Sequence, residues 1–506
     1  MHTKKMIRHL AIFVSLSGIF PFSMQVAQAE PALTSIEVTP SNPSIDVAQT
    51  LQFSATGTFD DGSSRPLAAD VWTSGTPLPA TQTNSGVTVL HGSFHVIGGF
   101  HPQLGITLPT VNGYNPTSQT WTPLSPLRTS RACPGVGVVG GIIYAVGGST
   151  KERGMPSVPL NTVEAYHPGR NAWKTMASMS TLSGCVQASV VNGILYAVGT
   201  AYNGTVVVEA YDPATNLWSV KTPLILPPNN ASLQGFATAA LDGNLYILGG
   251  MGSHGSLSKV NAYDPMTDTW STKAPMPTQR SWLGAGVVNG ILYAVGGSWP
   301  LIFGLVEAYN PKTNTWATMT SMPRSVEAYV AADDENGLLY ALTPVEYPQN
   351  FVDFRNIWSY KPPEALWSSS NASIATTDGN GFVTASVVSG TSTITAAAGD
   401  VSGSSTLTTL PQPLRGLRVR VQSIGGASGT VATGPGTLIN SGILCPGDCT
   451  EKYVIGTTVV LTAFPTYPLV SYFDWGGDCA GQGNPCTLQM DAYRSVTAIF
   501  TQEPDY

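Results

Sequence analysis

Two arginines sit at matching places in a sequence that repeats itself. Arg131 and Arg280 each stand thirteen residues before a recurring tyrosine, Tyr144 and Tyr293. Other repeats hold Thr81, Ser183 and Leu233 there, so arginine is not a requirement of the repeat. A guanidinium offers a planar fork of donors suited to a carboxylate. With Arg128 and Arg324, these are candidate ligand-binding residues for an acidic group. The other reading is a solvated rim arginine paired with a neighbouring acid. Trp299 matches no repeat position and lies in the apolar stretch Ser298–Phe303. An indole beside polar groups is a platform for a sugar, or a plug packed on its own loop. His254, in a Gly/Ser loop, completes the set.

The remaining reactive groups point away from catalysis. Glu164, Glu209 and Glu307 each precede the repeat tyrosine by two residues. A carboxylate found three times at one structural position reads as framework. Beyond residue 29 the histidines are His91, His95, His101, His167 and His254. Copper chemistry would need paired His and Tyr ligands plus a reactive Cys, and no Cys accompanies the cluster. There is no phosphate loop, nucleophile elbow or zinc motif. No catalytic residue, metal or cofactor is assigned.

These residues hang on a repeat. Val287-Val-Asn-Gly-Ile-Leu-Tyr-Ala-Val-Gly-Gly297 returns around Tyr144, Tyr196 and Tyr246, and in degenerate form around Phe94 and Tyr340. The period is about fifty residues. A turn pair such as Asn-Gly supplies the positive φ angles of a two-residue hairpin, and the apolar run after it suits a strand covered on both faces. A second landmark follows, Tyr then a Pro turn then Trp: Tyr114/Trp121, Tyr166/Trp173, Tyr211/Trp218, Tyr263/Trp270, Tyr309/Trp316 and Tyr360/Trp367. Each unit therefore holds four short strands.

Six such units over residues 72–367 resemble a six-bladed kelch β-propeller. Trp72 and Trp367 both fit the kelch pattern, and one of them supplies the strand that closes the ring. The resemblance implies a ligand face formed by the loops after Gly-Gly and before each inner strand. Kelch domains that bind acidic peptides place Arg at the positions of Arg131 and Arg280. Sialic-acid mutarotases are also exported six-bladed kelch propellers. Their chemistry needs an acid/base pair, so an acid within reach of a pocket Arg would favour an enzyme and a flat aromatic rim would favour binding.

The flanks differ in character. Residues 1–29 read as a signal peptide: Lys4, Lys5 and Arg8, then an apolar run, then Ala27-Gln28-Ala29. Residues 30–71 resemble the first half of a group 2 bacterial Ig-like domain, and residues 368–411 the second half. Together they approach the ~100 residues of such a sandwich, so the propeller reads as an insertion into it. Residues 412–506 resemble a small repeat domain of exported bacterial proteins, of the internalin B-repeat type.

The chain of 506 residues is all-β in character, rich in Gly and Pro and poor in charge, with a formal net charge of −7. That charge argues against nonspecific nucleic-acid binding, and no later run reaches the length of a membrane helix. The expectation is export, to the periplasm, the surface or the medium. Six cysteines in an exported chain favour disulfides, expected as Cys445–Cys449 and Cys479–Cys486. Cys133 and Cys185, on adjacent inner strands, read as two buried free thiols or as a bridge. The functional expectation is a surface binding protein that recognises glycan or protein at the loop face. A carbohydrate-active enzyme and a purely structural module are the alternatives.

Overall fold

The computed structural model describes residues 31–502 apart from 182–183, 202–203, 227–232, 299–303, 324–327, 346–352, 412–413, 425–426, 434–443, 446–448 and 467–471. Residues 1–29, expected as a signal peptide, and Trp299 and Arg324 lie outside the described residues. The fold is all-β, with one short 3-10 turn at Pro168–Arg170 among the described residues.

Six four-stranded antiparallel sheets occupy residues 71–361. Sheet I runs Gly86–Leu90, Ser93–Ile97, Val111–Asn115, Thr120–Leu124, and sheet II Gly135–Val139, Ile142–Val146, Val163–His167, Ala172–Met176. Sheet III is Val186–Val191, Ile194–Thr200, Val206–Asp212, Leu217–Leu224, and sheet IV Ala237–Leu241, Asn244–Leu248, Val260–Asp264, Thr269–Lys273. Sheet V is Gly284–Val288, Ile291–Val295, Val306–Asn310, Thr315–Met319. Sheet VI joins Tyr329–Asp333, Leu338–Val345 and Asp353–Lys361 to Val71–Ser74, which comes from ahead of sheet I. The first strand of each sheet touches the first strand of the next, and sheet VI touches sheet I, so the ring closes. Small residues line that centre because the strands converge there. A Cβ at Gly286 would stand 2.6 Å from Leu339 Cδ2 of the next sheet.

The outer edge carries a repeated polar lock. In each sheet the Tyr and Trp rings lie opposite one another, with centroids 4.7–5.2 Å apart. The indole N–H crosses to a backbone carbonyl of the preceding sheet or of the loop leaving it. Trp173 donates to Ser125 at 2.8 Å and Trp316 to Ala274 at 2.9 Å. Two residues before the Trp, Asn171, Asn216, Asp268 and Asn314 take a left-handed turn conformation. Asn and Asp tolerate that conformation better than other non-Gly residues. Each accepts both the tyrosine hydroxyl and a backbone N–H of the preceding sheet's side, as Asn314 does from Tyr309 at 2.8 Å and Ala274 at 2.9 Å. Burial raises the Tyr211 pKa to about 12 and pushes that of Tyr360 higher still, so these hydroxyls remain donors at neutral pH.

Sheet VI decides the closure. Tyr360 pairs with Trp72, and Asp70 accepts the Tyr360 hydroxyl at 2.6 Å and the Thr320 N–H at 2.8 Å. The expected pair Tyr360/Trp367 is therefore corrected to Tyr360/Trp72. Trp367 instead packs near Phe53, centroids 6.4 Å apart, in a separate core with Ile36, Val38, Val383, Ile394 and Leu407. That core is built from both flanks of the ring: Thr50–Gln52 pairs with Phe382–Ala385, and Ser44–Asp46 runs parallel to Val401–Leu410. Arg65 clamps Glu364 with two bonds, 2.6 and 3.0 Å, where the chain enters and leaves the ring.

Beyond it, two further four-stranded sheets enclose Leu417, Val431, Trp475, Val496 and Phe500. Cys445 and Cys449 lie at disulfide distance there, with Cα atoms 5.8 Å apart, as do Cys479 and Cys486 at 5.9 Å. Cys133 and Cys185 are a third such pair, Cα atoms 4.8 Å apart, with Cys185 exposed. The expectation of two buried free thiols does not describe them, because the loops leading into adjacent inner strands converge at this end of the ring.

Candidate functional site

The loops that enter the inner strands are tied down by buried charge. Arg131 has no exposed surface, and Glu164 is 1% exposed. Arg131 Nη2 meets Glu164 Oε1 at 2.6 Å and Thr162 Oγ1 at 3.2 Å. Its Nη1 donates to the carbonyls of Gly147 and Thr162, and Nε to that of Thr129. All five guanidinium donors are engaged inside the fold. Glu164 also accepts the backbone N–H groups of Arg128 and Thr129. Arg280 repeats the arrangement in sheet V, bonded to the carbonyls of Gly296 and Leu305 and ion-paired with Glu307. Burial pulls both arginine pKa values below the ordinary value, and the facing carboxylates oppose that shift. In sheet III Glu209 holds the loop without an arginine, accepting from Ser180 and Thr181. The three glutamates are thus framework, as their repetition suggests.

Arg128 is exposed on the same loop, and His254 is exposed at the tip between Met251–Gly252 and Gly255–Ser256. A cavity of about 860 Å³ occupies the centre of the ring, and none of Arg128, Arg131, Arg280 or His254 lines it. Its walls are the inner strands, where Ser189 donates to Thr238 at 3.0 Å. Its mouth carries Asn84, Phe100, Cys133, Gln234, Trp282 and Tyr329. Among the described lining residues the one charged side chain is Lys151, which lies over the Phe100 ring at 5.6 Å.

The mouth has its own regularity. Asn84, Cys133, Gly235 and Trp282 all stand two residues before an inner strand, and all have positive φ, between 51° and 59°. Links between neighbouring sheets run through them. Cys133 N–H donates to the Asn84 carbonyl at 2.7 Å, Val186 N–H to Cys133 at 3.1 Å, and Trp282 N–H to Gly235 at 2.6 Å. Asn84 N–H donates to the Tyr329 hydroxyl at 2.8 Å. The backbone here is held constant while the side chain changes from sheet to sheet. The sequence reading passed over Trp282. The signal was present, since it stands eleven residues before Tyr293, as Cys133 stands before Tyr144 and Cys185 before Tyr196.

The sequence model of the kelch motif matches residues 130–180, 233–277 and 280–323, which fall on sheets II, IV and V. The chain carries kelch repeats. Human Kelch-like protein 23 is similar, 29% identical over 234 residues, 45% of this chain and 39% of that protein. Kelch-like protein terF of Aspergillus terreus is 28% identical over 151 residues, 27% of this chain and 32% of that protein. Kelch-like ECH-associated protein 1A of Danio rerio is 36% identical over 94 residues, 18% and 15% of the two chains. The kelch region thus spans less than half the length of these relatives. A solved structure described as that of YjhT aligns with 98% of its length and 65% of this chain, at 14% identity and a TM-score of 0.44.

Proposed function

We propose that this chain is an exported binding protein that recognises its ligand at the channel mouth of a six-bladed kelch propeller. In this reading residues 1–29 direct export, and the propeller of roughly 72–367 is inserted in an Ig-like sandwich made of residues 30–71 and 368–411. The shared core of the two flanks supports the insertion, and the disulfide-distance cysteines suit an oxidising compartment. Residues 412–506 would be a further exported repeat domain.

The observation that carries the function is the mouth itself: a roomy central cavity with a variable, partly aromatic rim on a constant backbone. Variable side chains on a rigid scaffold are the usual setting for recognition. An acid does lie within reach of Arg131 and of Arg280, which would have favoured a mutarotase-like enzyme. Both ion pairs are sealed away from the cavity, however, so they serve the scaffold and the binding reading is preferred.

The test is surface plasmon resonance of the full chain over immobilised neutral polysaccharide, acidic polysaccharide and mucin. Saturable binding to one surface is expected, and Gln234→Arg, a change at the exposed rim, should weaken it at least about tenfold. Binding to none of them, or binding indifferent to changes at the mouth, would contradict the proposal.

A further inference from the structure

We infer that Trp282 is the aromatic floor of a site for a neutral saccharide at this mouth, an inference that rests on the mouth being the recognition surface. Trp282 holds φ at 55°, a left-handed conformation that is a genuine outlier for a bulky residue. It is nonetheless 41% exposed, so burial of the ring does not account for a tryptophan here. Strained residues of this kind cluster at ligand sites.

The geometry beneath the ring is specific. A Cβ at Gly235 would stand 2.7 Å from Trp282 Cδ2 and 3.0 Å from Cε2. The indole therefore packs directly against Gly235, and only glycine allows that approach. Trp282 thus rests on a residue of the neighbouring sheet while lining the cavity. Elsewhere on its lining the same cavity carries the amides of Gln234 and Asn84 and the hydroxyls of Ser189 and Thr238. A pyranose presents an apolar C–H face and an edge of hydroxyls. The C–H face suits an indole, and the hydroxyls suit neutral amides and alcohols. Of the cations an acidic sugar could seek, Arg131 and Arg280 are buried against Glu164 and Glu307, and the single cation among the described lining residues, Lys151, lies over the Phe100 ring. A volume of about 860 Å³ has room for more than one sugar ring.

Isothermal titration of the full chain with cellotriose, xylotriose, mannotriose and chitotriose tests this. One of the four should bind saturably. Trp282→Gly, which fits the backbone angle, should weaken it at least about tenfold, while Trp282→Tyr keeps affinity within about threefold. Melting curves of both variants show whether the ring is intact. Undiminished binding in Trp282→Gly overturns the role of Trp282, and if Gln234→Arg still abolishes that binding the mouth remains the recognition surface. Binding of none of the four sugars overturns the saccharide. In that case mucin binding that Gln234→Arg removes would leave the mouth reading standing with a ligand other than these neutral sugars, and no binding on either arm would end both.

Discussion

The outer edge of the ring and the mouth of its channel are built by opposite rules. At the edge the same side chains recur: a Tyr hydroxyl on an Asn or Asp, and an indole N–H on a carbonyl of the preceding sheet's side. At the mouth the same backbone conformation recurs under Asn84, Cys133, Gly235 and Trp282, which share no chemistry. Repetition of side chains marks what each sheet needs in order to dock on its neighbour. Repetition of backbone with changing side chains marks where the scaffold tolerates specialisation. The buried Arg–Glu pairs lie close to the mouth in sequence but belong to the first class.

That contrast ranks the effects of substitution. Arg131→Ala leaves Glu164 buried without its counter-charge and should cost the ring about 3–5 kcal/mol, read as a lower denaturant midpoint for the kelch region. Asn314→Ala removes the acceptor shared by Tyr309 and Ala274 and puts alanine at φ 54°. It should cost about 2 kcal/mol. A cost of a few tenths would show that the edge is held by ring packing alone. At the mouth, Trp282→Gly should change stability by no more than about 1 kcal/mol, because relief of the left-handed strain offsets lost contacts. A large destabilisation would move Trp282 into the framework class.

The smallest effect is a pH dependence in sheet I. His95 stands where sheets II, III, V and VI carry Ala145, Ala197, Ala294 and Ala341. Its burial lowers its pKa in the fold, so unfolding takes up a proton once the pH falls below the ordinary value near 6.5. Stability should therefore be full above that pH and decline as the pH falls toward the depressed folded value. His95→Ala should flatten the decline, and an unchanged slope would place its origin elsewhere.

Most of the ring was legible in the sequence because its framework residues recur at fixed offsets. Ring closure was left open between Trp72 and Trp367, although the deciding residue was in view. Asp70 stands two places before Trp72, as Asn171 stands before Trp173 and Asn314 before Trp316, whereas Ala365 stands before Trp367. The arginines were harder. They vary between repeats, which resembles specialisation, but Arg131 and Arg280 occur in repeats that also carry Glu164 and Glu307. Glu209 lacks an arginine at the matching place, and that exception hid the pairing. The offset of Trp282 from Tyr293 was in view, but a left-handed backbone under a tryptophan has no local sequence signature, so its conformation emerged only from the fold.

The most direct test of the contrast compares two variants for stability and for affinity. Arg131→Met combined with Glu164→Gln neutralises the buried pair and keeps its bulk, while Gln234→Arg alters the exposed rim. Measured by surface plasmon resonance below the melting temperature of both, the double variant should bind as the unmodified chain does and Gln234→Arg should not. If the folded double variant lost affinity while Gln234→Arg kept it, the arginines would belong to recognition and the division between edge and mouth would be wrong.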